Sequence, residues 1–551
     1  MGTSSFIDAK EPPKKDKDEK EPREIKVRIG IFFDGTNNNR YQVMLGRLAR
    51  ERENKATPKE IQENNEILES MELKQLSWLD QLVLENVKNK AQAKRIVMRR
   101  QQQRWMGMPR GPMQSGGFTN IAILERFYKP TDENDYTYKI YVSGPGTSDD
   151  LSKGISLAGQ ASGQGGEGVV KKVWDALDSI NLKTKDYNSD DSITGVHYVF
   201  DVFGFSRGAT EARLFVNVCC SSKKKLSVLR EGIKKYNKIF SDNNNSNEDK
   251  IQFRKQKDIK FNVGVFDTVA SVGINHYSQW VSPALTIPVA MGEHITSNTG
   301  KFHYENVENL GLDTVAHDGT VEKVVHICAL DEYRENFGLC ALPNGGKVKQ
   351  IFMPGSHSDI GGSLLTGYDG EVSIPIKKVK KEEFEGVIII ISTTWFWIPK
   401  VAPQPEIVKM TYENLKQLGW LKTSDEIGEI KEYDENINVK RFSAGIYSNL
   451  PLVVMAEQHK DVFEDTEIKG KHAIPNKLPQ SFGDMQSRWK GCNSNYGQCY
   501  FPDEEGYKFI RRHLIHFSAS AGMVNGPHYD DDYCYERILY TGSGKDRLKG
   551  C

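Results

Sequence analysis

Residues 197–213 read HYVFDVFGFSRGATEAR and place a strand pattern, a glycine-rich turn and a helix pattern in direct succession. The first seven residues are mostly apolar, β-branched or aromatic, which is typical of a buried strand. The turn Gly204-Phe-Ser206-Arg-Gly208 follows, and the residues after it favour a helix. A strand, Gly-x-Ser-x-Gly and a helix form the context of a nucleophile elbow, whose strained turn exposes a serine hydroxyl at the sheet edge. We therefore predict a nucleophilic Ser206; the alternative is an ordinary Gly-Ser turn of an α/β protein.

Strand and helix patterns alternate on both sides of this stretch. The other predicted strands are Ile25–Phe33, Tyr136–Val142, Phe261–Phe266, Val321–Leu330 and Gln350–Met353, and the predicted helices are Gly116–Tyr128, Val169–Ile180 and the stretch from Ala209 past Cys220. Such alternation predicts an α/β fold with a mostly parallel sheet. Polar clusters follow most of these strands directly, and functional loops of such sheets lie at the carboxyl ends of the strands.

The remaining segments suggest how the chain is organised. Residues 1–24 are charged and nearly devoid of apolar residues, which predicts a disordered tail. We expect a catalytic domain over 25–365, with a helical insertion at 41–115, and a C-terminal lid, membrane-contact and accessory region over 366–551 that completes it. Val387–Ile398 is the most apolar stretch and is either a buried strand or an interfacial lid. The basic segment Gln81–Trp105 is better explained as a solvated helix face than as an arm that contacts lipid headgroups.

The composition limits the classes of partner and compartment. Lysine plus arginine and aspartate plus glutamate each number 74 among 551 residues, so no overall charge favours nucleic acid. The eight cysteines form neither a zinc pattern nor a disulfide framework, which fits a reducing compartment. We expect synthesis in the cytoplasm without a signal peptide, no transmembrane helix, and no metal or cofactor. The nearest acidic cluster, His528–Asp532, is interpreted as a solvated loop.

A nucleophilic serine requires a base and an orienting acid. His357 follows the last predicted strand in Gly-Ser-His-Ser-Asp-Ile-Gly-Gly, where flanking glycines allow its imidazole to approach Ser206. Two acids compete, because Asp267 and Asp331 each follow a predicted strand between the serine and the histidine. We favour Asp267, since Asp331 lies among charged neighbours and could be held in a salt bridge. Asp359 is expected to cap its own loop.

Two regions could stabilise an oxyanion. The backbone N–H of Arg207 lies at the predicted start of the helix, where amides point outward. A second donor is expected from the loop two strands before the nucleophile, which makes Gly35 and Thr36 the candidates. An equally good interpretation of this loop is a turn in which the side chain of Asp34 holds the backbone.

Six motifs occur in order along the chain: FFDGTNNN, TNIAIL, VFGFSRGA, GVFDTVASVG, HICALDEYREN and FMPGSHSDIGG. Together they resemble the uncharacterised α/β-hydrolase domain family whose bacterial members include phospholipase effectors of the type VI secretion system. The resemblance covers about Ile25 to Gly362 and implies an α/β-hydrolase-like Ser-Asp-His esterase, a phospholipase A that cleaves acyl chains of glycerophospholipids. It assigns the nucleophile to Ser206 in GFSRG, the acid to Asp267 in FDTV and the base to His357 in GSHSD.

The same resemblance implies a toxin that acts on phospholipid membranes in the periplasm of a rival cell. It also implies loading on a secretion spike protein and a cognate immunity protein. The long insertion between FDGTNNN and TNIAIL and the sequence beyond Gly362 depart from the family pattern. Two other functions fit the residues: a hydrolase of soluble esters with the same triad, and a non-catalytic binding module with a relic elbow.

Overall fold

The structure of the protein is a computed structural model, which describes part of the chain. The described residues are 21–41, 43–44, 47, 56–70, 117–147, 168–220, 229–240, 250–270, 319–334, 337–342, 346–364, 366–375, 386–391, 394–399, 415–421, 436–472, 498–499, 504–519, 535–541 and 544–549. The basic segment Gln81–Trp105, the cluster His528–Asp532 and most of the helical insertion at 41–115 lie outside these residues.

The strands are numbered in chain order. They are β1 (Arg23–Phe33), β2 (Tyr136–Val142), β3 (Ile193–Phe205), β4 (Gln256–Phe266), β5 (Val321–Ala329), β6 (Leu339–Cys340), β7 (Val348–Met353), β8 (Thr366–Pro375), β9 (Gly386–Ile391), β10 (Thr394–Pro399), β11 (Asn436–Ala444), β12 (Gln498–Cys499), β13 (Glu536–Thr541) and β14 (Gly544–Lys549). Seven of them form the central sheet in the order β12-β7-β5-β4-β3-β1-β2, and every neighbouring pair is parallel. The prediction of a mostly parallel α/β sheet is confirmed.

The helices cover the sheet from both sides. They are α1 (Pro58–Ser70), α2 (Asn120–Phe127), α3 (Val169–Lys183), α4 (Lys185–Asn188), α5 (Arg207–Cys220), α6 (Arg230–Phe240), α7 (His357–Gly361), α8 (Asn449–Gln458), α9 (Asp465–Lys471) and α10 (Glu504–His513). One apolar core lies between the sheet and α3, α5 and α6, and the other lies between the sheet and α2, α8 and α10. Neighbouring residues such as Phe32 and Phe33 enter opposite cores because successive strand side chains point to opposite faces.

The strands are apolar because both faces of the sheet are covered. All seven residues from Val27 to Phe33 in β1 are buried, as are the last six of β3. Near-continuous apolar runs are typical of parallel sheets buried on both sides. Because these apolar runs are visible in the sequence, they predicted strands of the central sheet, and each predicted strand is present.

Segments far along the chain join this domain. The two-residue strand β12 extends the sheet beside β7, and β13 pairs in parallel with β6. β1 begins at Arg23, so the end of the expected tail of residues 1–24 overlaps the start of this strand. Residues 1–20 lie outside the described part.

The apolar stretch Val387–Ile398 forms the two antiparallel strands β9 and β10, not the single strand that was one of its two interpretations. The polar residues Ser392 and Thr393 separate the two apolar halves of this stretch in the sequence and break the pattern of one strand. The role of this segment as a lid stays a prediction. No helix among the described residues has the length and apolarity that a membrane span requires.

Candidate active site

The turn between β3 and α5 has the conformation of a nucleophile elbow. Ser206 adopts φ of +60°, which is sparsely populated for a residue with a side chain. Strain of this kind persists only where the surrounding structure imposes it, and it is concentrated at functional sites. Ser206 is 4% exposed, so its side chain lies just below the surface at the carboxyl end of β3.

Both glycines of the motif allow backbone segments to approach closely. A Cβ atom on Gly204 would lie 2.3 Å from the carbonyl oxygen of Gly208. A Cβ atom on Gly208 would lie 2.3 Å from the carbonyl oxygens of Phe33 and Asp34. Helix α5 therefore begins in contact with the end of β1, and the absence of side chains at the two glycines permits this close approach.

The elbow is fixed to the neighbouring strand β4. The amide of Ser206 donates to the carbonyl of Phe266 at 3.0 Å, and the carbonyl of Ser206 accepts from the amide of Val269 at 3.2 Å. Asp267, between these two partners, is also in the left-handed region, with φ of +44°. The register of the sheet thus brings the serine and this aspartate to the same edge.

The carboxylate of Asp267 contacts the imidazole of His357. Its Oδ2 lies 2.6 Å from His357 Nδ1, and its Oδ1 accepts from the amide of Ala329 at 2.8 Å. Burial alone would raise the pKa of Asp267, but the charge of Arg537 and the hydrogen bond with His357 hold this pKa well below its usual range. The carboxyl group is therefore ionised and accepts the hydrogen of Nδ1, which leaves Nε2 of the imidazole able to take a proton.

His357 is the first residue of α7, directly after β7. Its amide donates to Glu332 Oε2 at 3.1 Å, and its ring packs against Phe205 and Phe337, at centroid distances of 4.6 and 5.1 Å. Phe205 immediately precedes the serine, so the imidazole packs against the elbow itself. Burial lowers the pKa of His357, although Asp267 opposes this shift.

The alternative acid, Asp331, has other partners. Its Oδ1 accepts from Arg511 Nη2 at 2.7 Å and from the hydroxyl of Tyr507 at 2.8 Å. Its Oδ2 accepts from the amide of Gly355 at 2.7 Å. A salt bridge does hold Asp331, as one interpretation of the sequence expected, but its partner is Arg511 and not the nearby Arg334.

Asp359 has the expected capping role and a second contact. Its Oδ2 accepts from the amide and the hydroxyl of Ser356, at 2.9 and 2.8 Å, at the start of α7. Its Oδ1 lies 2.6 Å from Nδ1 of His516. Sequence reasoning found the cap but missed this histidine.

The loop after β1 is built as a turn. The amide of Gly35 donates to Asp34 Oδ1 at 2.8 Å, and the same carboxyl group accepts from the hydroxyls of Thr119 and Tyr141. Burial raises the pKa of Asp34 to about 6 despite these hydrogen bonds. Gly35 could act as an oxyanion donor only if its amide exchanged Asp34 for the substrate oxygen, so this role stays a prediction. Arg207 is the first residue of α5, where the predicted donor was expected.

Arg537 is the most important residue that sequence reasoning missed. Its Nη2 donates to Asp267 Oδ2 at 2.9 Å from the distant strand β13. The available signal was a charged residue within the strand-like run ERILYTG, where a buried arginine requires an anionic partner. Within the described residues, no three side chains of the metal-binding types converge on one point.

Comparison with known families identifies the domain that carries this geometry. Residues 110–374 match the family described as T6SS, phospholipase effector Tle1-like, catalytic domain. This part of the chain is similar to the catalytic domain of the Tle1-like phospholipase effectors. Residues 110–374 contain Ser206, Asp267 and His357, and the match confirms the family that the sequence motifs resemble. Gly35 and Arg537 lie outside it.

Two solved structures are similar to the chain. The chain is similar to the Tle1 effector bound to the VgrG spike from the type 6 secretion system, with 19% identity, a TM-score of 0.46, and coverage of 99% of this chain and 96% of that chain. It is also similar to an uncharacterized protein from Pseudomonas aeruginosa, with 14% identity, a TM-score of 0.32, and coverage of 88% of this chain and 52% of that chain. A comparison with curated proteins gave no match.

Proposed function

We propose that the protein is a serine esterase of the phospholipase A type, with Ser206 as nucleophile, His357 as general base and Asp267 as the orienting acid. The observation that carries the proposal is the 2.6 Å contact between Asp267 Oδ2 and His357 Nδ1 beside the strained elbow of Ser206. An acid, an imidazole and a serine at one sheet edge are the parts that acyl transfer requires. The match of this domain to phospholipase effectors supports an ester of a glycerophospholipid as the substrate.

The reaction has two halves. Nε2 of His357 takes the proton of Ser206 Oγ as the oxygen attacks the ester carbonyl, and a tetrahedral intermediate forms. The backbone amide of Arg207 stabilises its oxyanion, together with the amide of Gly35 once this amide has exchanged Asp34 for the substrate oxygen. The intermediate collapses, His357 gives its proton to the departing alcohol oxygen, and the lysophospholipid leaves. Water, activated by His357, then releases the fatty acid from Ser206.

The electrostatics of the site favour this assignment. A general base must be neutral before the reaction, and burial lowers the pKa of His357. An ionised Asp267 then stabilises the imidazolium that forms as the serine proton is transferred. The imidazole packs against Phe205 and Phe337, which limits the orientations that it can adopt.

The setting of the reaction is also part of the proposal. The family consists of phospholipase effectors of type VI secretion, and the known Tle1 effector has been captured on a VgrG spike. We propose that this chain acts on the phospholipid membrane of a target cell from its periplasm, that a spike protein carries it there, and that a cognate immunity protein protects the producing cell.

The decisive experiment measures fatty-acid release from phosphatidylcholine vesicles that carry different acyl chains at sn-1 and sn-2. The wild-type protein should release one chain preferentially and should be labelled by a fluorophosphonate at Ser206. Ser206→Ala should lose both properties. Ser363→Ala is the matched control, because Ser363 is also buried and also has positive φ, of 80°, but lies outside the triad.

The outcomes separate the competing functions. Hydrolysis of a monomeric short-chain ester without hydrolysis of vesicles would favour a soluble-ester hydrolase. Absence of both labelling and hydrolysis in the wild-type protein would favour a binding module. Unchanged fatty-acid release by Ser206→Ala would reject the nucleophile.

A further inference from the structure

Four buried acids surround the proposed active site, and each binds a side chain from the C-terminal segment, which we define as residues 504–541. The pairs are Asp267 with Arg537, Asp331 with Arg511, Glu332 with Ser518 and Asp359 with His516. The C-terminal segment lies beyond residue 374, where the match to the family domain ends. Of the four acids, Asp267 is the one with a carboxylate oxygen shared between the imidazole of His357 and a side chain of the C-terminal segment.

We propose that Arg537 is a positioning residue of the catalytic centre: its guanidinium fixes the carboxylate of Asp267, and through it the imidazole of His357. The triad is then complete only when β13 is docked. This inference rests on the proposed serine esterase function and adds a residue to it.

The guanidinium is held rigidly in three directions. Nη2 donates to Asp267 Oδ2 at 2.9 Å and to the carbonyl of Phe337 at 3.3 Å, and Nη1 donates to the carbonyl of Ala329. Arg537 is 1% exposed. Because guanidinium is planar and its donors are fixed relative to one another, these contacts determine where the carboxylate must lie.

The hydrogen bonds of Asp267 show what this arrangement contributes. Oδ1 accepts from the amide of Ala329, whereas Oδ2 accepts from both His357 and Arg537. The terminal torsion of an aspartate is broad, so a carboxylate with fewer partners can rotate. Without Arg537, Oδ2 would keep the imidazole as its one side-chain partner among the described residues.

The charge of Arg537 also acts on the base. The charged groups that face His357 are Asp267 at the end of β4, Glu332 and Arg334 in the loop after β5, and Arg537 behind Asp267. Arg537 partly neutralises the field of Asp267 and therefore limits how strongly that carboxylate stabilises imidazolium. Loss of this cation should raise the pKa of His357 and shift the acid limb of the pH–rate profile to higher pH.

Arg511 provides a matched control. It is also a buried arginine of the C-terminal segment, and it binds Asp331 through Nε and Nη2 at 2.9 and 2.7 Å. Asp331 forms no contact with the imidazole of His357 among the described interactions, so loss of Arg511 should affect stability without affecting the base.

The experiment compares Arg537→Gln, Arg537→Lys and Arg511→Gln in the full chain, by kcat/KM for a fluorogenic phospholipid between pH 5 and pH 9 and by thermal unfolding. For the wild-type protein we expect the acid limb below about pH 6.5, the usual pKa of histidine. Arg537→Gln should lower kcat on the order of 100-fold and shift the limb upward. Arg537→Lys keeps the positive charge but loses the planar set of guanidinium donors. Its kcat should therefore fall about tenfold, while the acid limb of the pH–rate profile stays at the wild-type pH.

Arg511→Gln should lower the unfolding temperature and keep the wild-type limb. The same upward shift in Arg511→Gln as in Arg537→Gln, or wild-type kcat in Arg537→Gln, would overturn the inference. If Arg537→Gln does not fold, Arg537→Lys decides, and wild-type kcat in that variant overturns it. Failure of the proposed function looks different, because the wild-type protein would then hydrolyse no lipid and Ser206 would not be labelled.

Discussion

Nδ1 of His357 lies 2.6 Å from Oδ2 of Asp267, although the strands that precede these residues are not adjacent in the sheet. Asp267 follows β4, His357 begins α7 after β7, and β5 lies between the two strands. The two side chains therefore meet across the end of β5, where the amide of Ala329 binds the other carboxylate oxygen. β5 ends at Ala329, and Leu330 and Asp331 follow it. The carboxylate of Asp331 binds Arg511 instead.

This relationship predicts opposite results for two aspartate variants. Asp267→Asn removes the charge that stabilises the imidazolium and alters the hydrogen bond that selects its tautomer, so kcat should fall on the order of 10³- to 10⁴-fold. Asp331→Asn leaves the buried cation of Arg511 without its counter-charge and should lower the free energy of unfolding by about 3–5 kcal/mol. Its kcat at a temperature where it is folded should stay within about tenfold of the wild-type value. Kinetics and urea unfolding of both variants provide the test, and the reverse pattern would make Asp331 the triad acid.

The close approach of α5 to β1 predicts a large cost for one added methyl group. In Gly208→Ala, the new Cβ would lie 2.3 Å from the backbone oxygens of Phe33 and Asp34, so strand and helix must separate. We expect a loss of about 1–3 kcal/mol in the free energy of unfolding, together with reduced esterase activity because the elbow moves.

Gly470→Ala is the control for this substitution. Gly470 lies in α9, and a Cβ there would have no atom of the described residues within 4 Å. Alanine should stabilise this helix by up to about 1 kcal/mol. Urea unfolding of both variants checks the pair; equal effects at the two positions would mean that the contact between α5 and β1 is looser than described.

Glu211 predicts a pH-dependent stability. This residue of α5 is fully buried, and neither of its carboxyl oxygens has a hydrogen-bond partner among the residues that the structure describes. Burial raises its pKa well above the usual value of 4.5, so the folded chain keeps a proton that the unfolded chain loses. Because the folded state then binds more protons than the unfolded state, the free energy of unfolding contributed by Glu211 falls as pH rises above 4.5.

Glu211→Gln has no such proton to lose. It should therefore be more stable than the wild-type protein at pH 8 by on the order of 1 kcal/mol, and the difference should shrink towards pH 5. Glu322→Gln on β5 is the control, because its side chain is 47% exposed. Unfolding temperatures at several pH values give the comparison. Parallel curves for wild-type protein and Glu211→Gln would show that Glu211 is not protonated in the fold.

The sequence was sufficient for the parts of the site that depend on short stretches of chain. The apolar run, the two glycines and the serine of residues 197–213 predict the strand, the turn and the helix, because such patterns act through neighbouring residues. The loop of His357 was found for the same reason. Local patterning also predicted the strands β1, β2, β3, β4, β5 and β7 of the central sheet. The two-residue strand β6, which lies outside this sheet, was not predicted.

Tertiary structure decided which acid meets the imidazole and what holds that acid. Asp267 and Asp331 follow equally good strands, and the charged neighbours of Asp331 favoured Asp267 without identifying the partner of either acid. The distinction depends on Arg537 and Arg511, which are 270 and 180 residues away along the chain from their respective partners. Secondary structure follows from interactions between near neighbours, whereas the pairing of buried charges follows from how distant segments pack, and that information is spread over the whole fold.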